Sequence, residues 1–288
     1  MSSRSASHVT LPGGEVWPAL GLGTWRYGED GARRVHDVAL LRSALDMGYR
    51  LFDTAEMYGD GGAEQVLGEA LAAAVRGGLQ RSQVQIVSKV YPHNASAAGV
   101  QAACERSLRR LQLDHIDLYL LHWRGSVPLA ETVRGLQALQ QRGRVRHWGV
   151  SNFDVDDLAE LAAVPGGDAC AANQVYYAPA ERGVEVALLP RQQALGMPLM
   201  AYSPIDQGAL ATDAGLQALA ARCGWTPAQL ALAWVLRQPG VMAIPKAGRA
   251  DHLRDNLAAA TLALDADTLA QMDRLFPPPR RKTPLAMR

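Results

Sequence analysis

Short apolar runs alternate with longer amphipathic stretches along most of the chain. The run Ile116–Leu121 is almost wholly apolar and six residues long, which is typical of a buried strand. Val100, Cys104, Leu108 and Leu111 follow one another at spacings of four, four and three, so a helix would carry them on one face. This pattern predicts an α/β protein in which strands and helices take turns.

The alternation occurs eight times. Strands are predicted at 19–24, 50–53, 84–90, 115–121, 145–150, 171–175, 198–202 and 241–244. Helices are predicted at 35–47, 63–76, 98–111, 129–142, 155–163, 184–195, 214–223, 227–237, 251–260 and 265–275. A hairpin around Pro12-Gly13-Gly14 precedes them.

Eight strand–helix units in a chain of this length predict a (β/α)8 TIM barrel. We expect a single barrel domain over 1–288, with an N-terminal β-hairpin and extra helices after strand 7 and after the last barrel helix. An open, doubly wound sheet is the alternative architecture. It is less favoured because Gly21-Leu22-Gly23-Thr24 holds only two of the three glycines of a dinucleotide-binding fingerprint.

Composition excludes several classes of partner. The chain has 288 residues, 48% of them hydrophobic, and a net charge of +1, so it has ample core and no basic surface for nucleic acid or anionic membranes. Its only basic run, Arg280-Arg281-Lys282, is typical of a solvated tail. Three scattered cysteines, no signal-like start and no membrane-length apolar run predict a cytoplasmic protein, and we expect a monomer.

Four polar residues fall at or just beyond the ends of three successive predicted strands: Asp53, Tyr58, Lys89 and His122. A phenol is a poor acid at neutral pH unless a cation stabilises its anion. Lys89 is one of only three lysines in an arginine-rich chain, and an ammonium is a compact charge whose pKa is tunable. Active sites of TIM barrels gather at this rim, so these residues are candidates for catalysis.

Structural roles remain open for each of them. A buried Asp–Lys pair, a histidine followed by Trp123 and a tyrosine in a loop all occur without function. A metal-dependent barrel hydrolase is a further alternative, but His115 and His122 lie seven residues apart without an obvious third ligand. We therefore predict no metal site.

Short motifs along nearly the whole chain resemble those of the aldo-keto reductases. They are Gly21-Leu22-Gly23-Thr24-Trp25, Phe52-Asp53-Thr54-Ala55-Glu56-Met57-Tyr58-Gly59, Lys89, His122-Trp123, Gly149-Val150-Ser151-Asn152-Phe153, Asn173-Gln174-Val175, Ala201-Tyr202-Ser203-Pro204 and Ile244-Pro245-Lys246. The resemblance implies an NADPH-dependent barrel reductase of aldehydes and ketones. By position, Asp53, Tyr58, Lys89 and His122 resemble the family's catalytic tetrad.

The resemblance also assigns cofactor contacts. Ser151, Asn152 and Gln174 would bind the nicotinamide carboxamide, and Tyr202 would stack on its ring. The remaining predicted contacts are Gly23, Thr24, Trp25, Asp53, Ser203, Pro204, Ile205, Gln207, Lys246, Ala247, Gly248, Arg249, Asp255 and Asn256. Many relatives carry arginine where this chain has His252, so the 2′-phosphate contact would rest on Lys246 and Arg249, with NADH as a weaker cofactor.

For the substrate, the rim offers an apolar wall of Trp25, Tyr27, Met57 and Trp123 beside His122. The final segment after the last predicted helix is short, as in bacterial-type aldehyde and methylglyoxal reductases of the family, and predicts an open pocket. We expect loose selection among small aldehydes, dicarbonyls and some ketones, such as methylglyoxal and nitrobenzaldehydes. The non-enzymatic alternative is an NADPH-binding regulatory subunit of the same fold.

Overall fold

The computed structural model describes residues 8–288 and contains ten strands. The strands are β1 (His8–Thr10), β2 (Val16–Pro18), β3 (Leu22–Gly23), β4 (Leu51–Asp53), β5 (Gln85–Val90), β6 (Ile116–Leu121), β7 (Val145–Ser151), β8 (Asn173–Tyr176), β9 (Leu199–Tyr202) and β10 (Val241–Ala243). The first two form the predicted antiparallel hairpin, in which Val9 lies opposite Trp17.

Ten α-helices lie between and after these strands within the same described residues. They are α1 (Arg34–Asp46), α2 (Gly62–Arg76), α3 (Ala97–Leu111), α4 (Leu129–Gln141), α5 (Val155–Ala163), α6 (Leu188–Ala194), α7 (Ala214–Cys223), α8 (Pro227–Leu236), α9 (Ala250–Ala259) and α10 (Ala266–Leu275). None of the helices described combines the length and apolar content that crossing a membrane requires.

The chain divides into two compact units. The central unit is Leu22–Asn173, and the terminal unit joins the residues up to Gly21 to Gln174–Arg288. The expectation of a single domain over 1–288 stays a prediction.

In the central unit, β3 to β7 are parallel neighbours in chain order. Each is linked to the next by one of the helices α1 to α4. Their residues are almost wholly buried; β6 has no exposed position, as its apolar sequence predicts for a strand covered on both faces. Because parallel strands end at one edge, residues that follow β4, β5 and β6 are brought to the same edge.

In the terminal unit, β9 and β10 pair in parallel, with Leu199 opposite Val241. Leu20 adds a parallel bridge to Ala243. Helices α7 and α8 fill the long connection before β10, and α10 follows α9, as predicted. The N-cap Thr226 accepts from the backbone of Gln229 and Gln229 returns a bond, which fixes the start of α8.

Two element predictions were wrong in detail. The predicted helix 184–195 begins only at Leu188, after a separate 3-10 turn at Gly183–Glu185. Pro190 explains the break: proline has no N–H and its ring clashes with the preceding turn, so it is tolerated only in the first turn of a helix. The predicted strand 19–24 is reduced to Leu22–Gly23 and the bridge of Leu20.

The three cysteines are free thiols. Cys104 and Cys170 are buried, and Cys223 is partly buried. Burial raises the pKa of both Cys104 and Cys170 to about 12, because an apolar surrounding disfavours the thiolate. Neither buried thiol ionises at neutral pH.

Candidate active site

Lys89 is the centre of a hydrogen-bonded cluster at the ends of β4 and β5. Its Nζ donates to Oδ2 of Asp53 at 2.7 Å and to the hydroxyl of Tyr58 at 3.2 Å. A third bond of 2.9 Å reaches the main-chain carbonyl of Thr54. Lys89 is fully buried and Asp53 is 2% exposed. Each of the three N–H groups of the ammonium can therefore bond to a protein acceptor, which a charge buried away from water requires.

Strand register explains how Asp53 and Lys89 meet. Asp53 is aligned with Val87 of β5, and Lys89 lies two residues further along that strand. Side chains two residues apart point to the same face, so both groups project from one side of the sheet. Tyr58 opens the 3-10 turn Tyr58–Gly61, which carries it back over the ammonium.

His122 follows β6 directly and completes the predicted group. Its ring lies 5.8 Å from that of Tyr58, centroid to centroid, with the two planes at 76°. The main-chain N–H of His122 donates to the carbonyl of Val90 at 3.0 Å, which fixes the residue at the strand end. Its Nδ1 is buried and has no hydrogen-bond partner among the described residues. All four candidate residues thus lie together in the central unit.

Two opposed effects act on the pKa of Tyr58. Burial raises this pKa, and Lys89 lowers it, as expected, by less than burial raises it. The net effect is a raised pKa, because desolvation of a phenolate outweighs one cation. Tyr58 keeps its proton at neutral pH, which suits a proton donor.

The pKa of Lys89 is raised. Burial alone would lower it, but Asp53 and then Tyr58 outweigh that effect by stabilising the ammonium. Lys89 is therefore charged at neutral pH, next to a phenol that is neutral.

His122 is held neutral. Burial, followed by the nearby charge of Lys89, lowers the pKa of His122 to about 2. At all pH values between about 3 and 9 it is an uncharged imidazole, with one nitrogen that donates and one that accepts. An acid limb in the pH profile of activity would therefore arise elsewhere.

His122→Asn should flatten the acid side of the stability profile. An unfolded histidine has a pKa of about 6.5, so between that pH and about 2 the unfolded chain binds a proton that the folded chain does not. This residue therefore lowers the free energy of unfolding by up to about 1.4 kcal/mol for each pH unit of acidification. Urea unfolding should show that the difference in free energy of unfolding between wild type and variant changes by about 1.6 kcal/mol from pH 6.5 to pH 5.

The matched control is His36→Asn, because His36 is exposed on α1. The difference in free energy of unfolding between wild type and His122→Asn should depend on pH. If it did not, as we expect for His36→Asn, a neutral His122 would be contradicted.

The predicted substrate wall is only partly formed. Trp25, Met57 and Trp123 keep part of their surface exposed. Tyr27 is 1% exposed, so its ring packs in the interior and does not belong to the wall. The sequence missed Tyr91, whose ring packs edge-on against Trp123 with centroids 5.6 Å apart. The position of Tyr91, two residues after Lys89 at the end of a predicted strand, could have indicated that it lies near the site.

The nicotinamide residues predicted in the central unit lie at the end of β7. Ser151 is buried, and Asn152 adopts a left-handed backbone with a φ of 60°, which asparagine tolerates better than most residues. The amide nitrogen of Asn152 lies 3.1 Å from the carbonyl of His122 and 3.1 Å from Oγ of Ser151. The amide is therefore joined to the main chain at His122. Gly23 ends β3, Thr24 and Trp25 follow it, and the Thr24 amide donates to the carbonyl of Asp53.

In the terminal unit, the loop after β9 has an unusual backbone. Ser203, Asp206 and Gln207 all have φ near +50°, and Gly208 reaches 98°. The N–H groups of Asp206 and Gly208 donate to the carbonyls of Ser203 and Ile205, so the loop is a series of tight turns. Pro204 is buried and Ile205 half-buried between them.

Tyr202 stands at the start of this loop. Its ring stacks on that of Tyr176, with centroids 5.8 Å apart and planes at 18°. The main-chain N–H of Arg288 donates to the Tyr202 hydroxyl, and the guanidinium of Arg288 lies 2.8 Å from Asp206. The final segment thus returns to this loop.

The predicted adenosine side lies at the end of β10 and on α9. Gly248 leaves room for Lys246, because a Cβ there would lie 3.3 Å from Nζ of Lys246. The Arg249 side chain is 68% exposed, and its guanidinium is 3.6 Å from Asp251. Asn256 is 3% exposed, and its Nδ2 has no partner within residues 8–288. A buried donor without an acceptor costs about 1–3 kcal/mol, so this position fits a ligand acceptor. Ala247 is buried beside them, and Asp255 accepts from Gln229.

The alternative of a metal-dependent hydrolase finds no geometric support in the two histidines. His115 precedes β6 and His122 follows it, so they stand at opposite ends of one strand. The described residues contain no group of three or more His, Cys, Asp or Glu side chains arranged to hold a metal ion.

A model of the Aldo/keto reductase family matches the chain from residue 19 to residue 276. The chain belongs to the aldo-keto reductase family. This confirms the resemblance given by its motifs. It also confirms the (β/α)8 fold class, with the N-terminal hairpin and the extra helices described above.

This aldo-keto reductase has relatives along its full length. It is 48% identical to methylglyoxal reductase YeaE of Escherichia coli (strain K12) over 284 residues, which are 97% of this chain and 98% of that protein. It is 31% identical over 253 residues to methylglyoxal reductase DkgB of Salmonella typhimurium, covering 87% of this chain and 90% of that one. The crystal structure of an aldo-keto reductase from Klebsiella pneumoniae in complex with NADPH matches it with a TM-score of 0.92 at 48% identity, over 100% of each chain.

Proposed function

We propose that this aldo-keto reductase reduces small aldehydes, dicarbonyls and some ketones to alcohols with NADPH, and that Tyr58 donates the proton. The observation that carries the proposal is the position of Lys89, which joins Asp53 to the phenol of Tyr58 in a buried cluster. A non-catalytic cofactor-binding subunit has no need of a charged, desolvated lysine against a phenol, so the geometry favours the enzyme.

Each residue of the cluster has a role that its surroundings support. Reduction of a carbonyl places negative charge on its oxygen, which positioned donors stabilise best in a dry site. Tyr58 is protonated and donates to that oxygen, while Lys89 stabilises the phenolate that results. Asp53 keeps Lys89 charged and oriented. His122, neutral and beside Tyr58, places the carbonyl by a hydrogen bond.

The predicted cofactor residues fit NADPH chemically. When bound, the reduced nicotinamide supplies the hydride, so no side chain changes its oxidation state. Ser151, Asn152 and Gln174 offer amide and hydroxyl groups for its carboxamide, and Tyr202 offers a ring face. The tight turns of the loop 203–207 would hold the pyrophosphate, and the buried Nδ2 of Asn256, which has no acceptor among the described residues, would bind the adenine.

Arg249→Ala should weaken NADPH binding by about tenfold or more and leave NADH binding nearly unchanged. The reason is that the guanidinium of Arg249 is exposed and, among residues 8–288, pairs with the exposed Asp251 at 3.6 Å, so it is available for the 2′-phosphate. A charge-assisted bond to phosphate is worth roughly 1.5–3 kcal/mol. Tryptophan fluorescence titration at fixed salt measures both dissociation constants, since salt screens exposed charges.

The control for this prediction is Arg254→Ala. Arg254 lies on α9, which Arg249 directly precedes; its side chain is 63% exposed and contacts the same Asp251. It should change neither dissociation constant. An equal loss of NADPH and NADH binding in Arg249→Ala would show that Arg249 does not read the 2′-phosphate.

Small reactive carbonyls are the proposed substrates. Trp25, Met57 and Trp123 offer a limited apolar wall, which gives little binding energy for a remote part of a substrate. Names of relatives support the same class, because YeaE and DkgB are methylglyoxal reductases.

A substrate panel tests the proposed function directly. We expect NADPH oxidation with glyoxals, benzaldehydes and nitrobenzaldehydes at KM values on the order of millimolar, and weaker turnover of aldoses. A preference in kcat/KM of more than about a thousandfold for a steroid ketone or for one aldose would contradict the open pocket, because such a pocket discriminates weakly. No turnover of any carbonyl, with intact NADPH binding, would instead favour the regulatory-subunit alternative.

For the cellular setting, we propose a monomer in the cytoplasm. The odd, sparse and free cysteines support a reducing compartment. Sedimentation of the purified chain would measure the oligomeric state.

A further inference from the structure

Glu56 is a buried carboxylate on which three donors converge. It is 6% exposed. Its Oε1 accepts from the main-chain N–H of Tyr91 at 2.8 Å and from Nδ2 of Asn94 at 3.0 Å. Its Oε2 lies 3.2 Å from the guanidinium of Arg106 on α3. These contacts leave the charge of Glu56 compensated and its geometry fixed.

The contacts of Glu56 join loops that carry the candidate active site. Glu56 stands two residues before Tyr58, in the loop after β4. Tyr91 and Asn94 belong to the loop that follows Lys89 at the end of β5. The main-chain N–H of Glu56 also donates to the carbonyl of Lys89, at 3.3 Å. One residue therefore ties the segment bearing the phenol to the segment bearing the ammonium.

The same contacts extend towards His122. The ring of Tyr91 packs edge-on against Trp123, and Trp123 in turn packs against His122 with ring centroids 4.8 Å apart. Holding the main chain of Tyr91 therefore also fixes the aromatic neighbour of His122.

We infer that Glu56 is a positioning residue of this reductase: it sets the distance between the hydroxyl of Tyr58 and Nζ of Lys89. Glu56 acts through the main chain of the two loops. The bonds described above join it to Tyr91, Asn94, Arg106 and the Lys89 carbonyl, and none of these is the reacting phenol. A proton donor must lie within hydrogen-bond reach of its partner, so a displacement of about 1 Å is enough to slow the step strongly.

An amide cannot replace this carboxylate. Glutamine has one acceptor oxygen, and if that oxygen keeps the bonds from Tyr91 and Asn94, its NH₂ group faces Arg106, which can only donate. Glu56→Gln therefore keeps the volume of the side chain while removing one of the three bonds and leaving a guanidinium without its partner.

Asp117 provides a matched control at the other end of β5. It is buried, and its Oδ2 accepts from the main-chain N–H of Ile86 at 2.8 Å and from Arg81 at 2.6 Å. Glu56 and Asp117 thus make the same kind of contact, because each accepts from a main-chain N–H and from an arginine. Glu56 does so just after the end of β5, and Asp117 does so at the start of β5. Asp117→Asn removes a buried charge without touching the loops of Tyr58 and Lys89.

The inference rests on the proposed function, and the decisive measurements are made with NADPH and a reactive benzaldehyde. Relative to wild type, Glu56→Gln should lower kcat about tenfold or more, leave the NADPH dissociation constant within about twofold, and increase the solvent deuterium isotope effect on kcat, because proton transfer becomes slower. Asp117→Asn should lower the melting temperature at least as much as Glu56→Gln does, and should leave the isotope effect unchanged.

A structural readout does not depend on activity. Crystal structures of the two variants should show the Lys89 Nζ to Tyr58 hydroxyl distance, 3.2 Å here, lengthened beyond hydrogen-bond reach in Glu56→Gln and preserved in Asp117→Asn. If Glu56→Gln does not fold, Arg106→Gln takes its place; Arg106 is 38% exposed and its loss should move kcat and the isotope effect in the same direction.

Equal isotope effects and an unchanged distance in Glu56→Gln and Asp117→Asn would overturn the inference. An inactive wild-type protein would instead remove the proposed function, and the crystallographic distance would still decide the role of Glu56.

Discussion

Tyr58→Phe should lower kcat for carbonyl reduction by about 10² to 10⁴-fold, the range typical of a positioned acid or base. The variant removes one hydroxyl, which in the protein lies 3.2 Å from Nζ of Lys89. Lys89 keeps Asp53 and the Thr54 carbonyl as acceptors, so folding should be little affected. Steady-state kinetics with NADPH and a benzaldehyde measure the loss, and tryptophan fluorescence should show NADPH binding within about twofold of wild type.

A control variant at a second tyrosine distinguishes the role of the Tyr58 hydroxyl from the general effect of replacing tyrosine by phenylalanine. Tyr119 on β6 is aligned with Ser88, the neighbour of Lys89, so its ring lies on the other face of the sheet. Tyr119→Phe should keep kcat within about threefold. Retention of activity at that level by Tyr58→Phe, a loss of no more than about 0.7 kcal/mol, would remove Tyr58 from the mechanism.

Asp53→Asn should have the largest effect on stability. Asp53 and Lys89 are 3% and 0% exposed in their side chains, with 2.7 Å between Oδ2 and Nζ. Removing one partner of a buried pair leaves an uncompensated charge, which typically costs about 3–5 kcal/mol. Urea unfolding of wild type and variant at neutral pH measures this difference.

The double variant Asp53→Asn with Lys89→Met tests the cause of that loss. Without the ammonium no charge is left uncompensated, so the double variant should be more stable than Asp53→Asn alone. Both should have lost most of the reductase activity. A double variant less stable than either single one would show that shape, rather than charge, accounts for the effect of Asp53.

Much of the fold could be predicted from the local pattern of hydrophobic residues. The apolar run of β6 and the four-residue spacing of Val100, Cys104 and Leu108 on α3 each predict one element almost to its ends. Pro190 carried enough information to place the start of α6, since proline is excluded from helix interiors. The two-residue length of β3 depends on pairing with β4, which a local pattern does not report.

The candidate site was predictable in its members and less so in its environment. Asp53, Lys89 and His122 follow from their positions at strand ends. The burial of Tyr27 and the role of Glu56 depend on packing between distant segments, as in the contact of Glu56 with Arg106, fifty residues away. The raised pKa of Tyr58 has the same origin, because desolvation is a property of the assembled surroundings.

The protonated thiols of the core bear on how such a catalyst survives its own substrates. Reactive aldehydes and dicarbonyls are electrophiles, and they are attacked by thiolates rather than by thiols. Cys104 and Cys170 are buried with pKa values of about 12, so neither offers a nucleophile to a diffusing electrophile. Of the three cysteines, only Cys223, on α7 near Thr268 of α10, keeps part of its surface exposed. We therefore expect any covalent inactivation through a cysteine at Cys223, the last residue of α7.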